Sequence, residues 1–309
     1  MRVGFLTVST PLEDTAKYIS RLCSCALLAL AVCLATTATA QEATEDSTAS
    51  TWEMDLELLI SASQTRFTNW KEGGINTLGY TSELKGKFVQ SDEDWKQTHK
   101  LRFAFGQVKQ GELATRKSTD VVQYAFSLQN LGTALLNPTL ALEFRTQFAE
   151  GFNYKKNPFR DGRDPPVKVS DFMAPGYILQ SLGLSYDPDG WFLTRLGIAG
   201  KHTIVNLTEL GVLYSLEPGM QVKFEMGIES HTEVELGVVE NVLWESRLGL
   251  FAAFNKPELP DARWDNFLTM NINDWLKVRG EYVFLFDRDV STKIQYKQTI
   301  SLGVSVRIL

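Results

Sequence analysis

The sequence predicts an all-β protein: a single transmembrane, antiparallel up-and-down β-barrel of about 12 strands, following an N-terminal signal peptide. Three observations predict it. Long stretches alternate apolar and polar residues with a period of two, long and short connections take turns between them, and aromatic residues gather near the ends of the stretches. Successive side chains of a strand point to opposite faces, so a sustained period of two is a strand signal.

The alternation is clearest from Trp275 to Ile308. Leu276, Val278, Tyr282, Phe284 and Phe286 take every second position, with Lys277, Arg279 and Glu281 between them. After Asp287-Arg288-Asp289, the residues Ile294, Tyr296, Ile300, Leu302, Val304, Val306 and Ile308 share one face. Lys293, Gln295, Lys297, Thr299, Ser301, Gly303, Ser305 and Arg307 share the other. Ordinary strands run about 5–6 residues, and this arm is far longer. A soluble sandwich buries its apolar face and wets the other. A membrane barrel turns the apolar face to lipid and the polar face to a lumen, with strands of about 9–11 residues or more. The rest of the chain decides between the two.

Composition alone looks soluble, with 44% apolar and 22% charged residues among 309 and a mean hydropathy of -0.13. No stretch after residue 40 approaches the roughly 18 uninterrupted apolar residues of a spanning helix, which excludes a helical membrane protein. A barrel averages to neutral on this measure. Residues 1–40 read as an export signal: Arg21 precedes the apolar run from Leu22, and Ala38-Thr39-Ala40 forms a small-x-small cleavage pattern. Val32 before Cys33 argues against a lipoprotein signal. Residues 41–51 read as a polar, disordered leader, and residues 52–309 as the barrel.

Cys23, Cys25 and Cys33 all lie in the signal, so the processed chain has no thiol for a disulfide, a nucleophile or a metal. It carries 28 basic against 35 acidic residues, a balance that argues against nucleic acid as a partner.

From Trp52 onward the strands follow in order. Trp52, Met54, Leu56, Leu58, Ile60 and Ala62 oppose Glu53, Asp55 and Glu57. Leu78, Tyr80, Leu84 and Phe88 oppose Glu83, Lys85 and Lys87, and Trp95, Leu101, Phe103 and Phe105 oppose Lys96, Lys100 and Arg102. Val122 to Leu128 comes next, then Leu140, Leu142, Phe144 and Phe148 against Glu143 and Arg145. Ile178 to Tyr186 is followed by Phe192, Leu196 and Ile198 against Arg195. Val222, Phe224, Met226 and Ile228 oppose Lys223 and Glu225, and Val242 to Phe254 opposes Glu245 and Arg247. Trp264, Leu268, Met270 and Ile272 lead into the last hairpin.

Tight turns are expected at Ser91–Asp94, Asp187–Gly190 and Asn273-Asp274, where Asp, Asn, Ser, Pro and Gly favour them. Longer connections are expected at 65–74, 109–119, 150–174, 200–219, 255–262 and 287–292. Such alternation suits one barrel end in the periplasm and the other outside. Leu131–Pro138 and Thr232–Glu240 fit this scheme poorly, each being too long for a short turn. Trp52, Trp95, Tyr186, Trp244 and Trp275 fall near one set of strand ends, and Phe105, Phe254, Trp264, Phe286 and Tyr296 near the other. Two belts of amphipathic rings are what two membrane interfaces select.

Four less periodic stretches carry a resemblance. They are Asn69–Gly74, Arg145–Tyr154 (RTQFAEGFNY), Ser170–Tyr177 (SDFMAPGY) and Gly200–Val205 (GKHTIV). In that order they resemble a family of predicted outer-membrane proteins of Bacteroidota-type bacteria, known only as a domain of unknown function. The resemblance spans about residues 52–308. It implies an outer-membrane location, lipid and the barrel-assembly machinery as partners, and no established activity, ligand or catalytic residue. Such barrels typically finish on an outward aromatic; here Ile308 stands at that position and Leu309 follows.

Sites of chemistry are not expected. His99, His202 and His231 fall on different strands or loops with no metal-ligand spacing. No G-x-S-x-G elbow, phosphate loop or dinucleotide fingerprint occurs, so neither an enzyme nor a cofactor is expected. The candidate lumen or constriction residues are the charges on the polar face and in the longest loop: Arg102, Glu143, Arg145, Arg160, Arg163, Arg195, Glu245, Arg247, Arg279 and Glu281. Those on strands would each be costly in lipid, so their shared parity itself points to a polar interior. They read either as a narrow path for a small polar solute or as ion pairs that fill a closed structural or surface-binding barrel. The loop Asn153–Ser170, with Lys155, Lys156, Arg160, Arg163 and Lys168, reads either as a solvated loop or as a constriction.

Overall fold

The computed structural model describes residues 52–66, 75–132, 135–159, 161–188, 190–258, 260–291 and 293–309. The expected signal and leader, all of Asn69–Gly74, and Arg160 lie outside the described residues.

Twelve strands close into one antiparallel barrel. In chain order they are β1 (Trp52–Thr65), β2 (Thr77–Ser91), β3 (Trp95–Gln110), β4 (Arg116–Asn130) and β5 (Asn137–Thr146). A short pair, β6 (Gly151–Asn153) and β7 (Val167–Ser170), stands outside the wall. The wall resumes with β8 (Gly176–Tyr186), β9 (Phe192–Ile204), β10 (Val222–Val239), β11 (Val242–Ala253), β12 (Asp261–Asn271), β13 (Leu276–Phe286) and β14 (Gln295–Arg307). Each wall strand pairs with the next one in sequence, so the meander is up-and-down, and β1 seals against β14 from Glu57↔Arg307 to Ala62↔Leu302.

Closure leaves no free strand edge and turns the apolar face outward. Leu302 and Val304 remain 49% and 45% exposed, which rules out a second sheet packed over them. Leu182, Leu196, Ile198, Phe224, Ile228 and Ile300 are likewise exposed. Soluble monomers rarely expose apolar patches beyond a few hundred Å²; a wall apolar over this many strands needs hydrocarbon against it. Trp52, Trp95 and Trp275 lie exposed at the end that carries the termini, joined there by Trp191. Trp264, Phe254 and Tyr296 do so at the other.

The tight turns are built by short acceptors. Asp92 Oδ1 accepts from the Asp94 and Trp95 amides at 2.9 and 2.7 Å, Asn273 Oδ1 from Trp275 and Leu276 at 3.0 and 2.7 Å, and Asp187 Oδ1 from Gly190 at 3.1 Å. This is the Asx chemistry expected there. Thr232–Glu240 is not a long connection. β10 continues to Val239 and turns in two residues, Glu240 and Asn241, with Asn241 at φ 64°. Ser230 and Thr232 put polar residues into the apolar phase of Val222–Ile228, which hides the strand's continuation through Val234, Leu236 and Val238, and a bulge between Gly237 and Val239 shifts the register beside the turn. Leu131–Pro138 shortens to 131–136, because Pro138 sits within β5. β5 in turn ends at Thr146, short of Phe148.

At the opposite end the long loops fold together. Lys117 and Asp120 on β4 pin the base of the 147–175 loop. Asp120 accepts from the Phe148 and Ala149 amides at 3.0 and 2.9 Å, while Lys117 Nζ donates to Asp120, Gln147 Oε1 and Ala149 O. The next long connection contains a 3₁₀ helix, Thr208–Tyr214. Ala174, Val205, Leu210 and Leu216 bury one another with Phe159, Leu207 and Tyr214, giving the two loops one small apolar core. Tyr214 OH donates to Val169 O at 2.8 Å, and Ser215 Oγ donates to Asp289 O at 2.6 Å, tying in the β13–β14 connection.

Candidate functional site

The inward face is polar because the alternation puts every second residue there, and charges in that position are held in pairs. The tightest layer joins β2, β3, β12 and β13. Arg102, only 5% exposed, donates to Glu83 Oε2 and Glu281 Oε1, both at 3.0 Å. Arg279 lies 3.0 Å from the other Glu83 oxygen. The guanidiniums of Arg102 and Arg279 rest on the Phe267 ring at 4.8 and 4.7 Å. Lys297 reaches both Glu281 at 3.3 Å and Thr119 at 3.0 Å.

A second network spans β5, β9 and β10. Arg195 Nε donates to Glu229 at 2.6 Å and its Nη2 reaches Glu143 at 3.3 Å. His231 sits between Glu143 at 3.2 Å and Glu233 at 3.0 Å. Three pairs then cross the lumen between strands on opposite sides of the ring: Lys85 with Glu245, Lys100 with Glu233, and Lys87 with Glu235 at 3.1 Å. Arg247 stands beside Glu245 at 3.5 Å and Glu233 at 4.0 Å.

Towards the capped end, Arg263 binds Asp265 at 2.7 Å and Lys201 binds Asp261, with Asp287 at 3.8 Å. Arg145 lies over the Tyr177 ring at 5.1 Å. Outside the barrel wall, burial alone would raise Asp289, but the hydrogen bond and charge of Lys223 hold it below its usual value. Burial pushes the Tyr214 hydroxyl up.

A cavity of about 570 Å³ follows the lumen. Asp55, Glu57 and Arg307 line it at the end carrying the termini, and Tyr214, Val290 and Gln295 at the capped end. A smaller one of about 210 Å³, lined by Lys96, Asp187 and Trp191, shares Lys87, Lys100, Glu233 and Glu235 with the first. Those crossing pairs therefore stand between the two spaces.

Of the residues named from sequence, Arg102, Glu143, Arg145, Arg195, Glu245, Arg247, Arg279 and Glu281 all face inward, and the structure brings them into these networks or beside them. Arg163 does not join them. It lies exposed, paired with Asp161 at 2.6 Å and set against Phe159 at 4.8 Å. The described part of the 153–170 loop contributes no residue to either cavity; the neighbouring connection does, through Tyr214. The lumen candidates named from sequence left out Glu229, although the alternation sets it on the polar face, His231, weighed only as a metal ligand, and Glu233, Lys201 and Tyr214. The first four share the parity of Lys223 and Arg195 on β10 and β9, which is the signal that finds them. Tyr214 has no such signal, since its place depends on how two loops pack. Among the described residues, no group of three or more His, Cys, Asp or Glu could hold a metal.

Fold and lumen together define a membrane-spanning β-barrel with a charged, ion-paired interior. The model of a family described as "Protein of unknown function (DUF3078)" matches residues 62–152, which include β2, β3, β4 and β5. No curated protein matches the chain. Among solved structures, the translocator domain of autotransporter NalP from Neisseria meningitidis is similar at 10% identity and a TM-score of 0.34, over 95% of this chain and 97% of that one. OmpF of Salmonella typhi, in complex with daunomycin, is similar at 8% identity and 0.30, over 84% and 98%. OmpT, an outer membrane protein of Vibrio cholerae, is similar at 9% identity and 0.28, over 86% and 99%.

Proposed function

We propose that the chain is exported by the signal within residues 1–40, inserted by the barrel-assembly machinery into an outer membrane, and works there as a narrow, non-enzymatic passage for small polar solutes. The supporting observation is the lumen cavity, which touches residues at both barrel ends and is walled by paired charges. Small barrels of about eight strands are filled by side chains, whereas wider ones keep an aqueous channel, and this lumen keeps space. Its paired charges would favour polar over apolar cargo. Conductance of the refolded protein in a planar bilayer tests the reading: discrete, stable unitary currents are expected.

The crossing pairs Lys85–Glu245, Lys100–Glu233 and Lys87–Glu235 favour a second reading, a closed barrel whose outer loops bind a partner. Electrically silent bilayers containing correctly folded protein would leave that reading standing and remove the first.

A further inference from the structure

We infer that the upper lumen contains an anion subsite centred on Arg145, shaped for a small monocarboxylate with an apolar body. The inference deepens the solute passage proposed above by naming a class of solute, and it rests on that reading only for transport, not for binding.

Arg145 is the exception in the lumen. Arg102, Arg195, Arg247, Arg263 and Arg279 each have a carboxylate within ion-pair distance. Among the described residues Arg145 has none, and its one close partner is the face of Tyr177. The nearby acids are already engaged: Glu143 with Arg195 and His231, Asp265 with Arg263, Asp261 with Lys201. Arg145 is half-buried and lines the main cavity. A guanidinium partly removed from water without an anion is unfavourable, and this one can offer a planar fork of donors matched to a carboxylate.

The walls supply the rest of the selection. Tyr177 lies directly opposite Arg145 in the β5–β8 register. Tyr177, Phe251, Tyr214 and Leu179 line the same cavity, and Leu179 packs against the small cluster of Ala199, Phe251 and Ala253. Lys201, also on the wall, pairs with Asp261 and lies 3.8 Å from Asp287, and Arg263 pairs with Asp265. A guanidinium with no ion-pair partner of its own, beside aromatic surface, fits one negative charge on an apolar body. A dianion would need a second free cation. The cavity volume lies within the roughly 300–1,000 Å³ of small-molecule pockets.

Benzoate is the probe. The barrel refolded in uncharged detergent is titrated with benzoate by isothermal calorimetry, alongside Arg145→Gln and, as a control of equal charge change, Arg288→Gln on an exposed loop. Saturable binding is expected for the native protein and the Arg288 variant, weakened at least tenfold by Arg145→Gln and partly restored in Arg145→Lys. Benzyl alcohol, which keeps the ring and lacks the charge, should bind at least tenfold more weakly than benzoate. Circular dichroism of each refolded variant shows that the barrel has formed. Absence of saturable binding, or equal affinity with and without Arg145, overturns the subsite. Bilayer currents without benzoate binding remove the subsite alone; benzoate binding in a silent barrel removes the passage alone.

Discussion

Removing Arg102 should destabilise the barrel more than any other single loss of lumen charge. Its guanidinium is 5% exposed and holds two carboxylates at 3.0 Å while resting on Phe267. At that distance and an effective dielectric constant of about 20, each attraction is roughly 5–6 kcal/mol gross, most of it offset by desolvation. Removing one partner of a buried pair costs about 3–5 kcal/mol, because the other charge is left behind. Here relief is partial: Arg279 still holds Glu83 and Lys297 still holds Glu281. Arg102→Met should therefore cost about 3 kcal/mol, the lower end of that range. Glu281→Gln should cost less, since Arg102 keeps Glu83, and the double variant should cost less than the two single changes added. A coupling of about 1.5–3 kcal/mol is expected, the range for hydrogen bonds to charged groups. The assay is urea unfolding of the protein refolded into vesicles, followed by tryptophan fluorescence. Additive costs within about 0.5 kcal/mol would show that Arg102 and Glu281 do not act on each other, and the layer described here would be wrong.

Two further perturbations test the outer face and the cap. Leu302→Arg places a charge on the lipid-facing side of β14 and should cost about 2–4 kcal/mol if it lies near the bilayer midplane. The adjacent Ser301→Arg points into the lumen and should cost far less in the same vesicle unfolding assay, and equal costs would contradict the assigned faces. Asp289 accepts from Lys223 and lies 3.7 Å from Lys256, clasping the β13–β14 connection to its neighbours. Because its folded-state pKa is depressed, the clasp is fully formed above the ordinary aspartate value of about 3.9 and is lost as pH falls through the lower folded value. Acid should therefore speed protease cleavage within residues 287–294, and Asp289→Asn should show the faster rate already at neutral pH.

Much of this was legible because a barrel wall is written locally. The parity that separates Leu302 from Ser301 is visible in sequence, and so are the acceptors Asp92, Asp187 and Asn273 that turn the chain. Local pattern fails where single residues depart from it. Ser230 and Thr232, polar residues in the apolar phase, hid the continuation of β10 from Thr232 to Val239, and with it Glu233 and Glu235, which carry two of the three lumen crossings. What no local pattern contains is pairing across the barrel. Lys87 and Glu235 are separated by 148 residues and meet only because β2 and β10 stand opposite in the ring. The same holds for the cap: Tyr214 reaches the cavity because Ala174 and Leu210 bury each other, a fact about two loops and not about either.

The crossing pairs differ in a way that bears on passage. Lys87 and Glu235 are 40% and 45% exposed at their side chains, whereas Glu245 is 6% exposed beneath Lys85. An exposed pair is worth about 0–1 kcal/mol and is screened by salt, so thermal motion opens the first often. Breaking a buried pair leaves a stranded charge and costs several times more, so Lys85–Glu245 behaves as wall. The lumen is thus graded, with the Arg102 layer and Lys85–Glu245 fixed and the exposed Lys87–Glu235 crossing labile. In the passage proposed above, a solute entering from the end carrying the termini would meet the exposed pair first and could displace it by offering its own polar groups. The firm layer would set the width of such a path, and the Lys87–Glu235 crossing between the two cavities how often it connects.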